Sequence, residues 1–313
     1  MTQWILHHYP SSPYAEKARL MLGYKGLAWG SVEVPMIPPR PHLQTLLGAF
    51  RRIPVLQRGA DFFCDTRLLP EVLDSVQPQP ALLPAHARPL SALIAHWAEP
   101  RVFVRMGPVR FETSDDLQPL AAAHIDRGDF LRDRAPFMAP ASDIRRSAAV
   151  RGSARDHVLT YLGVLESMLA PGPYLCGERP AACDFSAYHT VWWLRRPPSR
   201  DALLSRFPSL NAWADRMAAI GHGQPQPLDP QESLAQAKAA QSQPPWQPDW
   251  PAVDDERLHR TMQLCPDDYG RDPVTGVVSA VSDRHLTLRR EAPGIGTVRL
   301  HVPKANFELS APD

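Results

Sequence analysis

The chain opens on short apolar runs separated by amphipathic stretches. Trp4-Ile5-Leu6-His7-His8 is too short for a helix and reads as a strand. After the turn Tyr9-Pro10-Ser11-Ser12-Pro13, residues Tyr14 to Tyr24 carry a helical period. Tyr14, Ala18, Met21 and Leu22 share one face, and Lys17 and Arg19 point elsewhere. Ser12 sits at the N-cap, Pro13 at the first helical position and Glu16 in the first turns, with Gly26 as the stop. Val32-Glu33-Val34 reads as a second strand, residues 35–41 as a proline-studded loop, and 41–48 as a short helix. Ile53-Pro54-Val55-Leu56 and Asp61-Phe62-Phe63-Cys64 flank Arg58-Gly59-Ala60, a hairpin signal. Thr66 then opens a helix from Arg67 to Val76. The order β-α-β-α-β-β-α is that of an α/β unit, here residues 1–78.

Past a linker holding four prolines (77–89), the period becomes helical. The windows are Pro89 to Met106, Asp116 to Arg134, Ala141 to Leu169, Ala181 to Arg196 and Ser209 to Ile220. Together they predict a helical bundle over 88–224. Residues 225–251 carry seven prolines and two tryptophans, interrupted by an Ala/Gln segment from Ser233 to Gln243, and read as a proline-rich linker strapped over the surface. Alternation returns in Val274 to Val281, His285 to Arg290, Thr297 to Val302 and Phe307 to Leu309. These make a small β appendage, 252–313, with too little surface to be buried alone.

Composition narrows the class. At 313 residues the chain is long for one domain. Its 35 prolines are about twice the usual share, yet 44% hydrophobic content excludes a wholly disordered chain. The formal charge of +1 gives no drive toward nucleic acid or an anionic membrane. Only four of the 34 basic residues are lysine, read as base-composition bias. Cys64, Cys176, Cys183 and Cys265 form no metal-ligand spacing and read as thiols in a reducing, cytoplasmic compartment. The N-terminus lacks the basic region and apolar core of a signal peptide, and no stretch is long and apolar enough to span a membrane. The run Asp267-Asp268-Tyr269-Gly270-Arg271-Asp272 lacks the acid spacing of a calcium loop and reads as a turn, so no metal is expected.

Three features carry candidate chemistry. Ser12 lies at a helix start directly after a strand, where unpaired backbone N–H groups and the positive end of the helix dipole suit an anion. Pro54 precedes a strand, where a cis bond would leave the neighbouring backbone N–H and C=O facing a ligand instead of a ladder. Asp65-Thr66 at the next helix start offers a carboxylate for an amine, a hydroxyl and backbone N–H groups. Each has a plainer reading, as a cap or an edge proline; their order and spacing are what inform. They describe a site for something shaped like a peptide.

In this order the motifs resemble the glutathione transferase superfamily, over residues 3 to about 220. The resemblance rests on Ser12-Pro13-Tyr14-Ala15-Glu16-Lys17-Ala18-Arg19, on Arg52-Ile53-Pro54-Val55-Leu56, on Cys64-Asp65-Thr66-Arg67-Leu68-Leu69, and on the run from Leu175 through Asp184 to Tyr188. It implies a thioredoxin-like N-terminal domain and an all-helical second domain. It implies that Ser12 contacts the glutathione sulfur, that Pro54 is cis, that Val55 pairs with the cysteinyl backbone, and that Asp65 and Thr66 hold the γ-glutamyl group. Ser12 would then be a hydrogen-bond donor rather than a nucleophile, with Ser11 and Tyr9 in reserve. Lowering a thiol pKa by two units from about 8.5 corresponds to about 2.7 kcal/mol of preference for the thiolate. The reaction implied is addition of that thiolate to a small hydrophobic electrophile, with Tyr14, Trp97, Phe103 and Arg105 as pocket candidates. A homodimer goes with the resemblance, and the compact, arginine-biased chain reads as bacterial. Alternatives are a non-catalytic glutathione or apolar-ligand binder, and glutathione-dependent isomerase or dehalogenase chemistry. The glycyl carboxylate site has only Arg40 and Arg52 as candidates. Ala181 stands where the family has a capping hydroxyl, so the cap around Asp184, read as structural, is incomplete. The appendage resembles the C-terminal extension of certain bacterial members.

Overall fold

The computed structural model describes residues 3–110, 125–126, 128–134, 148–197, 200–246 and 252–312. Most of the helix expected over Asp116–Arg134, and the start of the one expected over Ala141–Leu169, lie outside these residues. The chain divides into two compact units. One holds residues 1–18, 25–78 and 223–313; the other holds 19–24 and 79–222.

The first unit is built on one sheet of ten strands: β1 Trp4–His8, β2 Ala28–Glu33, β3 Val55–Arg58, β4 Asp61–Phe63, β5 Gln224–Pro227, β6 Thr261–Pro266, β7 Val274–Val281, β8 His285–Ala292, β9 Gly296–Pro303 and β10 Phe307–Ser310. Their order is β10-β6-β7-β8-β9-β4-β3-β1-β2-β5. The centre, β4-β3-β1-β2, is the thioredoxin-like part: β1 runs parallel to β2 and antiparallel to β3, and β3 is antiparallel to β4. Helices α1 Pro13–Tyr24, α2 Pro41–Leu47 and α3 Leu69–Val76 follow β1, β2 and β4 in the chain. Helix α3 starts two residues later than the period predicts. Asp65 has φ 147°, which no helix accommodates, Leu68 N–H closes a turn onto the Asp65 carbonyl, and Pro70 takes an opening helical position.

Both edges of this centre are extended by chain that follows the helical unit. On one side β5 pairs in parallel with β2 although it reads Gln-Pro-Gln-Pro. The N–H groups of Gln224 and Leu228 donate toward β2, at the carbonyls of Leu27 and Ser31. Pro225 and Pro227 alternate with them, so their missing N–H groups fall on the open edge. Instead of an extended strap, the segment then forms helix α10 Pro230–Ala239, whose Asp229 cap accepts the N–H of Gln231 and whose Ser233 and Ala237 are sealed inside. On the other side β9 pairs in parallel with β4, joined by Cys64 N–H to His301 O and Arg299 N–H to Ala60 O. The C-terminal strands therefore continue the central sheet. One hydrophobic cluster runs from Ile5, Val55 and Phe62 to Val278, Leu288, Val298 and Leu300.

A buried polar seam lies along the β4–β9 joint. Asp61 accepts Arg299 Nε at 2.7 Å and Arg299 Nη2 at 3.0 Å, and its Oδ1 lies 2.8 Å from His301 Nε2. Burial pushes the Asp61 carboxyl up, but His301 and Arg299 bring it below the ordinary carboxylate value. The chain of contacts continues through Thr287 Oγ1 (2.9 Å from His301 Nδ1) and His285 to Ser282. Near the joint, Arg290 donates to the carbonyls of Thr45 and Leu46 at the end of α2.

The second unit contains α4 Arg88–Trp97, α5 Phe103–Arg110, α6 Ala148–Met168, α7 Ala182–Arg195, the single turn α8 Asp201–Leu204, and α9 Pro208–Ala219. Between α4 and α5, Ala98–Val102 forms a wider π-turn that takes in Pro100, where an α-helix would lose a hydrogen bond. Tyr161, Leu165, Phe185, Val191, Leu210, Trp213 and Met217 make its core. Asp184 is its polar hub: Oδ1 accepts Leu175 N–H and Trp213 Nε1–H, each at 2.9 Å, and Oδ2 accepts Ala181 N–H at 2.9 Å. The hydroxyl missing at Ala181 is replaced from elsewhere. Ser91 Oγ in α4 accepts Cys183 N–H at 3.1 Å, and the Leu82 carbonyl accepts Ala182 N–H at 2.7 Å. Glu166 likewise caps α9, accepting the N–H groups of Ser209 and Leu210.

Candidate functional site

The strand registers bring three sequence features to one end of the sheet. His7, near the end of β1, pairs with Val55, the first residue of β3. Leu56 pairs with Phe63, the last residue of β4. The turn leading to Ser12, the Ile53–Pro54 loop and the Asp65–Thr66 turn thus leave the sheet at the same end. Ser12 is some forty residues before Pro54 in sequence, and the β1–β3–β4 pairing brings their segments to the same end of the sheet.

Ser12 caps α1. Its N–H closes a turn on Tyr9 O at 3.1 Å, and its Oγ accepts the N–H of Ala15 at 3.1 Å. Accepting that bond leaves the hydroxyl hydrogen to donate elsewhere. The residue is sealed, with 2% of its surface exposed. The Ile53–Pro54 bond is cis, as are Pro38–Pro39 and Gln79–Pro80. Val55 is fully buried by its side chain while its backbone begins β3.

Asp65 sits at a left-handed φ, unusual for a residue with a side chain. Its carboxylate is already paired. Oδ1 accepts the backbone N–H of Arg67 at 2.8 Å, and the Arg67 guanidinium approaches both oxygens, with Nη2 at 2.8 Å from Oδ2. Burial alone would raise this carboxyl, but the Arg67 charge and hydrogen bonds, with Arg52 nearby, hold it down to about 2. The third guanidinium nitrogen of Arg67 donates to Asn306 Oδ1 at 2.6 Å. Thr66 is buried beside this pair.

The two arginines considered for a ligand carboxylate are both engaged with protein. Arg40 donates to the carbonyls of Pro35, Met36 and Arg51, tying the 35–52 loop to itself. Arg52 donates to Tyr269 O, forms an ion pair with Asp268 and lies over the Phe307 ring. Arg51 lies over the Tyr269 ring. The loop before Pro54 and the turn after β4 are therefore braced by residues 268–269 and 306–307 of the C-terminal strands. Sequence reasoning missed Arg67 and Asn306. An Asp-x-Arg pair on a turn was a usable signal for the first; nothing local signals the second.

Of the pocket candidates, Tyr14 belongs to the first unit and is half-buried on α1. The other three belong to the second unit. Phe103 packs between His189 and Trp193 in the core. Trp97 is half-buried and meets Tyr161 edge-on, and Arg105 is half-buried and donates to Arg101 O. Among the described residues, no cluster of His, Cys, Asp and Glu could hold a metal ion, and no helix is long and apolar enough to cross a membrane.

Known proteins share the sequence pattern and fold of this chain. A family model described as glutathione S-transferase, N-terminal domain, matches residues 6–81, and one for the C-terminal domain matches 121–216. A GST-like protein from Pseudomonas syringae is 30% identical, with all of both chains covered and a TM-score of 0.80. A Tau class glutathione S-transferase from mango, Mangifera indica, is 18% identical over 76% of this chain and 97% of its own, TM-score 0.51. A glutathione transferase family member from Pseudomonas fluorescens Pf-5, solved with two glutathione molecules bound, is 15% identical over 70% of this chain and 89% of its own, TM-score 0.51. No match to a curated protein is found. The full-length match, together with both domain matches, makes this chain a member of the glutathione transferase superfamily.

Proposed function

We propose that the protein is a glutathione-dependent transferase, adding the glutathione thiolate to a small hydrophobic electrophile. The observation that carries this reading is the convergence of Ser12, Pro54–Val55 and Asp65–Thr66 at one end of the β1–β3–β4 sheet. Residues 1–78, with the strands that extend their sheet, are then the glutathione-binding part, and 88–224 the helical part. Ser12 O–H donates to the sulfur while the N-terminus of α1 adds positive potential, so the thiolate is favoured at neutral pH. Val55 offers backbone polar groups to the cysteinyl residue. In this reading Asp65 and Thr66 take the γ-glutamyl group. Phe103, packed against His189 and Trp193, is set aside as an electrophile contact. A cytoplasmic homodimer completes the reading.

One observation favours the second reading, a glutathione binder without transferase chemistry: Ser12 is 2% exposed and its Oγ already serves as the α1 cap. In either reading Asp65 is already neutralised by Arg67, so an incoming ammonium must share or displace that partner. Titrating glutathione against wild type and Ser12→Ala, with thiolate absorbance followed across pH, separates the cases. The transferase reading expects a bound thiol pKa at least about one unit below the free value of about 8.5 in wild type, returning toward it in Ser12→Ala. Binding with an unshifted thiol supports the second reading. Absence of binding sinks both.

A further inference from the structure

Two of the four cysteines meet in the helical unit. Cys176 Sγ lies 3.1 Å from Cys183 Sγ, with both thiols free. Cys176 is half-buried in the loop before α7 and reachable from solvent, whereas Cys183 is sealed in the first turn of that helix. Their sulfurs already touch, so a small approach would bring them to bonding distance. They flank the polar hub. The residue before Cys176, Leu175, gives its N–H to Asp184, and Cys183 Sγ is 3.5 Å from Asp184 Oδ2.

We propose that Cys176 and Cys183 are an attacking and a resolving thiol, which a low-molecular-weight disulfide such as glutathione disulfide oxidises to an intrachain bond. The Cys176 thiolate attacks one sulfur of glutathione disulfide. The S–S bond of that reagent breaks, one glutathione leaves as thiolate, and a mixed disulfide forms on Cys176. Cys183 then attacks Cys176 Sγ, its proton passing to the second departing glutathione. Two protein thiols are oxidised and one disulfide is reduced to two glutathione molecules, so atoms and electrons balance.

The division of roles follows from the surroundings. The hydrogen bond with Cys183 lowers the Cys176 thiol pKa, against an opposing effect of burial and of the Asp184 charge. The same contact, burial and Asp184 raise that of Cys183, which keeps it protonated until the mixed disulfide delivers an electrophilic sulfur beside it. The other two cysteines are placed differently. Cys64 is sealed within the first unit, where burial raises its thiol pKa. Cys265 Sγ lies 3.1 Å from the Arg271 carbonyl, and burial raises its thiol pKa too. The new bond would close a short ring ending beside Asp184, the carboxylate that holds the Leu175 loop, α7 and the Trp213 indole together. The oxidation state would thus be reported at the hub of the helical unit. The inference does not depend on the proposed glutathione site, since the reagent is met by Cys176 itself.

The test uses the full chain under native conditions with glutathione disulfide, followed by alkylation and mass analysis. Wild type is expected to lose two alkylatable thiols, with peptide mapping linking Cys176 to Cys183, at least about ten-fold faster than Cys64 or Cys265 react. Cys183→Ala should stop at one glutathione on Cys176, and Cys176→Ala should carry neither product. Should Cys183→Ala not fold, Cys183→Ser serves. Retention of all four thiols in wild type, a stable mixed disulfide without the internal link, or a link to Cys64 or Cys265 would overturn the proposal.

Discussion

Asp65 concentrates the chemistry of the first unit. It combines a left-handed backbone, a carboxylate held by Arg67, and, through that guanidinium, a bond to Asn306 near the far end of the chain. A carboxyl held at about 2 instead of 3.8 favours the folded state, because the unfolded chain binds the proton more readily. The contribution is therefore present above about pH 4 and is lost as pH falls through about 2. It should amount to roughly 2 kcal/mol at neutral pH. Urea unfolding of wild type and Asp65→Asn across acid pH measures it. The two stabilities should converge toward pH 2, and a gap that stays constant through that range would contradict the assignment. Ser12 shows how a residue can be legible and still ambiguous. Its capping role is visible in the Ser-Pro dipeptide, and the bond from Ala15 N–H bears it out. Whether its remaining hydrogen meets a thiolate is a matter for the glutathione titration.

Among the elements, β9 is the one whose placement changes the molecule most. It lies beside β4 and fastens there through Asp61, whose carboxylate is sealed and gathers Arg299, His301 and the N–H of Trp246. Removing that carboxylate leaves a largely buried guanidinium without its partner. Asp61→Ala should then cost about 3–5 kcal/mol, read from the denaturation midpoint. A loss under about 1 kcal/mol would mean that the backbone ladder and apolar packing alone hold the joint. Strands β7 to β10 were visible as alternation between turns. Strand β5 was not, because proline argues against a strand unless the open edge is known. The helix α3 start was misjudged for a related reason: a left-handed Asp65 leaves no mark on the local hydrophobic period.

For the whole molecule, the strands after residue 252 complete the sheet rather than decorate it. Deleting 252–313 would uncover the β4 edge and strip Phe62, Val55 and Ile5 of neighbours in their shared cluster. An exposed apolar edge strand pairs with other chains. The shortened protein should therefore aggregate, or elute as large species in size-exclusion chromatography. A monodisperse shortened chain with native circular dichroism would show the central sheet to be self-sufficient. The bracing of the Arg51–Arg52 loop and of Arg67 by residues 268–269 and 306 adds a functional expectation. Glutathione affinity, where present, should depend on these strands as well as on the motifs of the first unit.

Local order along the chain was enough to determine the α/β beginning, the helical middle, the alternating end, and the three motifs that mark the superfamily. Each depends on short-range physics: the period of a helix or strand, the chemistry of a cap, the stiffness of proline. Tertiary structure alone decided that β9 joins β4, that Asn306 reaches Arg67, that Ser91 supplies the cap missing at Ala181, and that Cys176 meets Cys183. Those pairings depend on how the sheet and helices close on themselves. Hydrogen bonds between residues distant in the chain leave no periodic trace in the order of amino acids.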